Sequence, residues 1–95
     1  MKIVFFASED FSSCLDYLEE RRRVKPINFV LHLIRGRRFE LVVFLVEDAV
    51  SYDRLMKVLD ECGVEYVYEM EGGVPRILRY VRTHLGTPMV EAKFV

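Results

Sequence analysis

Four short apolar runs, separated by segments with helical spacing, constrain this chain most. The runs are KIVFFA (2–7), FELVVFLV (39–46), VEYVYEM (64–70) and PMVEAKFV (88–95). KIVFFA is continuously apolar and rich in β-branched and aromatic residues, the pattern of a strand covered on both faces. FELVVFLV is the clearest strand. Between them, Phe11, Cys14, Leu15 and Leu18 recur at i, i+3, i+4 and i+7. That spacing predicts a helix capped by Ser8, with Glu9 and Asp10 in its first turn, running to about Arg23. A second helix has Leu55, Met56, Leu59 and Cys62 on its buried face. Ser51 would cap it, Val50 and Leu55 would staple it, and Gly63 would end it. Gly72 and Gly73 turn the chain. Pro75 then opens a predicted helix with Ile77, Leu78, Val81 and Leu85 on one face, stopped by Gly86 and Pro88.

The hardest stretch to read is RRRVKPINFVLHLIRGRRFE, residues 21–40. Two basic clusters flank an apolar run, and no Asp or Glu falls between residues 21 and 39. Pro26 suits the first turn of a helix and Gly36 suits a stop. Ile27, Val30, Leu31 and Ile34 keep helical spacing. On that reading the order is β-α-α-β-α-β-α-β. It implies a single small three-layer α/β domain, residues 1–95, with a mainly parallel four-stranded sheet and helices on both faces. The competing reading makes residues 28–34 a β-hairpin with 39–46 and gives a five-stranded mixed sheet. Periodicity alone does not separate the two for so short a run.

Composition narrows the function classes. The 95 residues are 52% hydrophobic and 31% charged, enough apolar material for one core. The formal net charge of −1 argues against attraction of the whole protein to nucleic acid. It hides a segregation, however. Arg21, Arg22, Arg23, Lys25, Arg35, Arg37 and Arg38 are half of the 14 basic residues, and the remainder of the chain is strongly acidic. The absence of Gln, a single Asn (Asn28) and abundant Glu and Arg point to a source that lives hot. Cys14 and Cys62 lie on the apolar faces of predicted helices and read as small buried hydrophobes, not as a disulfide framework. The N-terminal apolar run is too short for a signal segment, and no run reaches the roughly 18 residues of a membrane span. The expected location is cytoplasmic, with no membrane partner.

Several clusters could carry chemistry. In a parallel sheet ligands bind beyond the carboxyl ends of the strands. Glu9, Asp10, Glu47 and Asp48 would converge there and could hold Mg²⁺ for phosphoryl transfer or nuclease-type chemistry. Acidic residues also begin helices simply because the dipole favours them. The acidic pair after the first run resembles response-regulator receiver domains in one respect. FLVED, however, puts Val46 and Glu47 where that family carries its phosphoacceptor Asp, so no family is assigned. Gly72, Gly73 and Arg76 suggest an anion site at a helix N-terminus, although two glycines also make a plain turn. Arg76, Arg79 and Arg82, with Tyr80 between them, form a drifting basic row on the last predicted helix. His32 and His84 have no evident Ser or Cys partner, which leaves a hydrolytic triad unsupported. Glu91-Ala92-Lys93 echoes the acidic-x-Lys pair of some nucleases, as do many edge strands.

The reading that results is a non-catalytic binding or interaction module, acting as a homodimer through an open edge at the terminal strand, with no cofactor. The first alternative is a Mg²⁺-dependent enzyme at the acidic rim. The second is nucleic-acid binding through residues 21–38.

Overall fold

The structure, a computed structural model, describes residues 1–64, 66–71 and 73–80. Its elements in chain order are β1 (Lys2–Ser8), α1 (Ser12–Val24), β2 (Phe29–Arg35), β3 (Glu40–Val46), α2 (Ala49–Glu61), β4 (Tyr66–Glu71) and β5 (Val74–Tyr80). The strands form one sheet in the order β2-β3-β1-β4-β5. Every neighbouring pair is antiparallel. The expected parallel, three-layer α/β sheet is therefore wrong, and the domain is a small α+β unit. Its connectivity is that of the split β-α-β, or ferredoxin-like, arrangement, with β5 added at one side.

The correction has a simple physical cause. Each helix does carry the chain back across the sheet, as a β-α-β crossover would. The returning strand leaves a gap of one strand rather than pairing beside its predecessor. β3 fills the gap between β1 and β2, and β1 fills the gap between β3 and β4. The apolar runs of β1 and β3 reflect burial of both strand faces in a sheet centre. Phe6 and Val4 are buried on one face, Phe5 and Val43 on the other. Antiparallel centres and parallel strands share that signature.

Residues 29–35 form a strand, so the hairpin alternative holds and the helix reading of 27–34 fails. β2 pairs with β3 along its whole length, from Phe29↔Val46 to Arg35↔Glu40. Gly36 is the hairpin corner instead of a helix stop. Its N–H donates to the Phe39 carbonyl at 2.8 Å, and a Cβ at Gly36 would meet that same oxygen at 3.0 Å. The mixed sheet of that alternative is also corrected, since no pair is parallel. Residues 74–80, expected in a helix, pair with β4 from Glu71↔Val74 to Tyr66↔Tyr80. The turn at Gly73 adopts φ +84°, a left-handed conformation that glycine takes without a Cβ penalty. The rest of that expected helix and the expected terminal strand, residues 81–95, lie outside the described residues.

The core sits between the sheet and the two helices. Register puts Val4 and Phe6 of β1 on the same face as Phe44 and Val42 of β3. These pack with Val46 and Val67, and with Leu18 of α1 and Leu55, Val58 and Leu59 of α2. Phe11, just before α1, makes edge contacts with Phe6 and Phe44 at 5.5 and 6.0 Å between ring centroids. Burying side chains of this size stabilises the fold by roughly 1.5–3 kcal/mol each before entropy is counted.

The helix ends differ in detail from expectation. Ser8 belongs to β1 and pairs with Glu40. Asp10 supplies the turn into α1, accepting from the Ser12 N–H at 3.0 Å and the Ser12 hydroxyl at 2.6 Å. Asp48, not Ser51, caps α2, accepting from the Ser51 N–H at 2.7 Å. Ser51 is buried, and its Oγ accepts from the Asn28 N–H at 2.8 Å, tying α2 to the start of β2. Val50 is exposed, so the expected staple does not form.

The cysteines are also corrected. Cys14 and Cys62 form a disulfide, with Cα atoms 5.6 Å apart. The two helices run antiparallel, which brings the start of α1 to the end of α2. The apolar-face placement was right. What no spacing rule revealed is that the two faces meet at those residues.

Candidate functional site

The antiparallel sheet separates the acidic residues proposed as metal ligands. Ser8 lies opposite Glu40 and Lys2 opposite Val46. Glu9 and Asp10 therefore leave one end of the sheet, while Glu47 and Asp48 leave the other. Seven residues of strand put about 20 Å between those ends. Asp10 and Asp48 serve instead as turn and cap acceptors. Hydrogen bonds from the Ser12 hydroxyl and N–H hold the Asp10 carboxyl below its ordinary range. The Ser51 N–H does the same for Asp48. Among the described residues no cluster of three His, Cys, Asp or Glu could hold a metal ion.

The glycine-arginine segment loses the basis of its anion site. No helix follows Gly73, and the unpaired N–H groups expected there belong to a hairpin. Arg76 lies on β5, 3.9 Å from Glu71, and both are well exposed. Gly72 falls outside the described residues. So do Arg82, His84 and the Glu91-Ala92-Lys93 group.

The basic stretch divides between two ends of the domain. Arg21, Arg22, Arg23 and Lys25 close α1 at the end where Phe29 pairs with Val46. Arg35, Arg37 and Arg38 surround the β2–β3 turn at the other end. Several of these charges are already engaged. Arg35 is 3.5 Å from Glu40, and Arg22 is 3.1 Å from Glu19 and lies over the Phe29 ring at 4.4 Å. Arg21 donates twice to the Tyr17 hydroxyl, at 2.8 and 2.6 Å, and sits 3.4 Å from Glu61. Tyr17 in turn donates to Glu61. That hydroxyl, helped by Arg21, holds the Glu61 carboxyl below its ordinary range. The same hydroxyl raises Arg21 further. Continuous phosphate tracking along residues 21–38 is not what this geometry offers.

Two features stand out instead. The first is β2 as an edge strand. Among the described residues it has one neighbour, β3, so half of its backbone N–H and C=O groups lack a ladder partner. Val30, Leu33 and Ile34 are 54%, 42% and 55% exposed, and His32 is exposed between them. The second is a groove of about 210 Å³ between the helices. Arg21, Lys25, Arg54 and Lys57 rim it, with Glu61, over Val24, Ile27 and Val58. Sequence reading flagged Arg21 and Lys25 but missed Arg54 and Lys57. These two lie one turn apart on α2, a signal that could have marked one basic helix face.

No family model, curated protein or solved structure matches this chain. Among the described residues, no helix is long and apolar enough to cross a membrane.

Proposed function

We propose that this chain is a non-catalytic interaction module that works as a homodimer, with the copies joined edge to edge through β2. The observation that carries this reading is the β2 edge, which no strand covers among the described residues. Natural sheets blunt exposed edges with Lys, Pro, a bulge or a short strand. β2 has seven residues, FVLHLIR, with no Pro or Lys. Its register with β3 is regular throughout. By contrast the β4–β5 pair carries a register shift at Val67 and Tyr68.

Self-complementarity favours a second copy as the occupant. His32 is the middle residue of β2. A twofold axis through it sets Val30 opposite Ile34 of the second copy and Leu31 opposite Leu33 of the second copy. Val30, Leu31, Leu33 and Ile34 then meet apolar partners, Phe29 lies opposite Arg35 of the second copy and His32 opposite its own counterpart, and the described strands of the two copies join in one continuous sheet. The terminal strand, the other edge expected to pair, lies outside the described residues. A cytoplasmic, hot-living origin remains part of the proposal. Intracellular proteins of hyperthermophiles are the known setting in which a disulfide such as Cys14–Cys62 persists without an oxidising compartment.

Sedimentation velocity over a wide concentration range tests it. The wild type should run as a dimer, and Val30→Lys with Ile34→Lys should run as a folded monomer. A wild type that stays monomeric at every concentration would overturn the proposal.

A further inference from the structure

The helix layer carries a second site, independent of β2. We propose that the groove between the end of α1 and the middle of α2 binds phosphate groups, either on a small polyphosphate or along a single-stranded nucleic acid. Four cations meet there in a chain whose formal net charge is −1. Arg21 and Lys25 stand one turn apart on the α1 side, and Arg54 and Lys57 face them from α2. Among the described residues the only carboxylate in the lining is Glu61. It is already committed to Tyr17 and Arg21. The lining therefore carries more positive than negative charge, although Asp48 acts on Arg54 and Glu61 on Lys57 from nearby.

No ion pair within 4.0 Å relieves Lys25, Arg54 or Lys57 among the described residues. Arg54 is held in place by a different contact, donating to the Pro26 carbonyl at 2.7 Å. That bond fixes its guanidinium at the rim and leaves its other N–H groups for a ligand. Convergent like charges repel one another, so this arrangement costs stability unless an anion offsets it. Phosphate suits the surplus because it presents several oxygens and carries one or two charges per group. Arginine recognises such oxygens through paired N–H bonds, and lysine adds point charge. Ile27 and Val58, both buried, give the groove an apolar floor, and Val24 stands exposed at its edge. A nucleic-acid strand would reach the same cations by its backbone, with affinity falling steeply as salt rises.

The test is an NMR titration of the whole protein with pyrophosphate at low salt, with a parallel arm using a short single-stranded DNA. Amide shifts centred on Arg21, Lys25, Arg54 and Lys57 are expected. Lys25→Ala with Lys57→Ala should weaken binding about tenfold or more, by roughly a factor of three to ten per lost contact. Arg37→Ala with Arg38→Ala, at the opposite end of the domain, should leave it within about twofold. Saturation by pyrophosphate alone assigns a small phosphorylated ligand. Tighter binding of the DNA, lost in the same lysine variant, assigns a phosphodiester strand. The proposal is overturned if millimolar pyrophosphate and the DNA both leave the groove amides unmoved. It is equally overturned if the two double variants weaken binding alike. Neither result depends on whether the chain dimerises.

Discussion

Breaking the Cys14–Cys62 bond should lower stability by an amount that follows from where it sits. The bond joins residues 48 apart in the sequence. Closing a loop of that length removes unfolded-chain entropy worth about 4 kcal/mol at 25 °C. A 95-residue domain unfolds with an entropy of roughly 200 cal/mol/K. The two figures together correspond to a fall in Tm of about 20 °C. The fold itself should survive, because Leu18, Leu55 and Leu59 still pack beneath the helices and Tyr17 still joins Glu61. The assay is thermal unfolding by far-UV circular dichroism, with and without a phosphine reductant. Intact mass after alkylation under denaturing, non-reducing conditions establishes the thiol state. The Cys14→Ala, Cys62→Ala double variant should melt with the reduced wild type and be indifferent to reductant. Two freely alkylated thiols in the untreated protein would refute the pairing. A bonded protein whose Tm moves by less than about 3 °C on reduction would refute the loop-entropy reasoning.

Other expectations are as direct. Asp48 and Glu61 have carboxyls held below their ordinary range by the Ser51 N–H and the Tyr17 hydroxyl, so the fold favours their charged forms. Their contribution is present above that range and lost as pH falls through about 4 and below. A Tm-against-pH series should slope there, and Asp48→Asn should flatten it. Lys2→Ala should destabilise by roughly 1–3 kcal/mol in urea unfolding, because it strips the partner from a buried carboxylate. Glu69 is 2% exposed, pairs with Lys2 at 3.6 Å, and its Oε2 has no hydrogen bond among the described residues. Gly36→Ala should weaken the β2–β3 turn, since the added Cβ falls 3.0 Å from the Phe39 carbonyl, and amide exchange in β2 should quicken. If the copies meet about His32, His32→Glu should split the dimer, because two like charges would then face each other across the axis. Sedimentation of that variant reads this out, and a dimer as tight as the wild type's would reject the twofold axis.

Much of the element pattern is legible in the residues themselves. KIVFFA, FELVVFLV and VEYVYEM mark β1, β3 and β4 within a residue or two. The spacing of Leu15 and Leu18, and of Leu55 and Leu59, marks α1 and α2. Gly63, at φ +75°, follows α2 as its sequence position suggests. The two misread segments share a property. FVLHLIR and VPRILRY are short, lack strict alternation, and follow residues that suit helix starts. Each becomes a strand because a neighbour offers an open ladder: β3 for residues 29–35, β4 for residues 74–80. That choice belongs to tertiary context, which routinely overrides local preference. The candidate site was less legible still. Arg54 and Lys57 look like ordinary solvent-facing charges until α1 is laid beside them.

By itself the sequence determined where the chain must be apolar, where it must turn, and that one small core would form. These follow from burial and backbone sterics, which act locally. Only the tertiary structure decided strand direction, the Cys14–Cys62 pairing, the separation of the acidic residues to opposite ends, and the meeting of four cations in one groove. Each depends on which segments become neighbours. Period and propensity constrain a segment's shape but carry no information about its partner. The stretch RRRVKPINFVLHLIRGRRFE shows the division: its apolar middle had to be ordered, but the exposed side of β3 made it an edge strand.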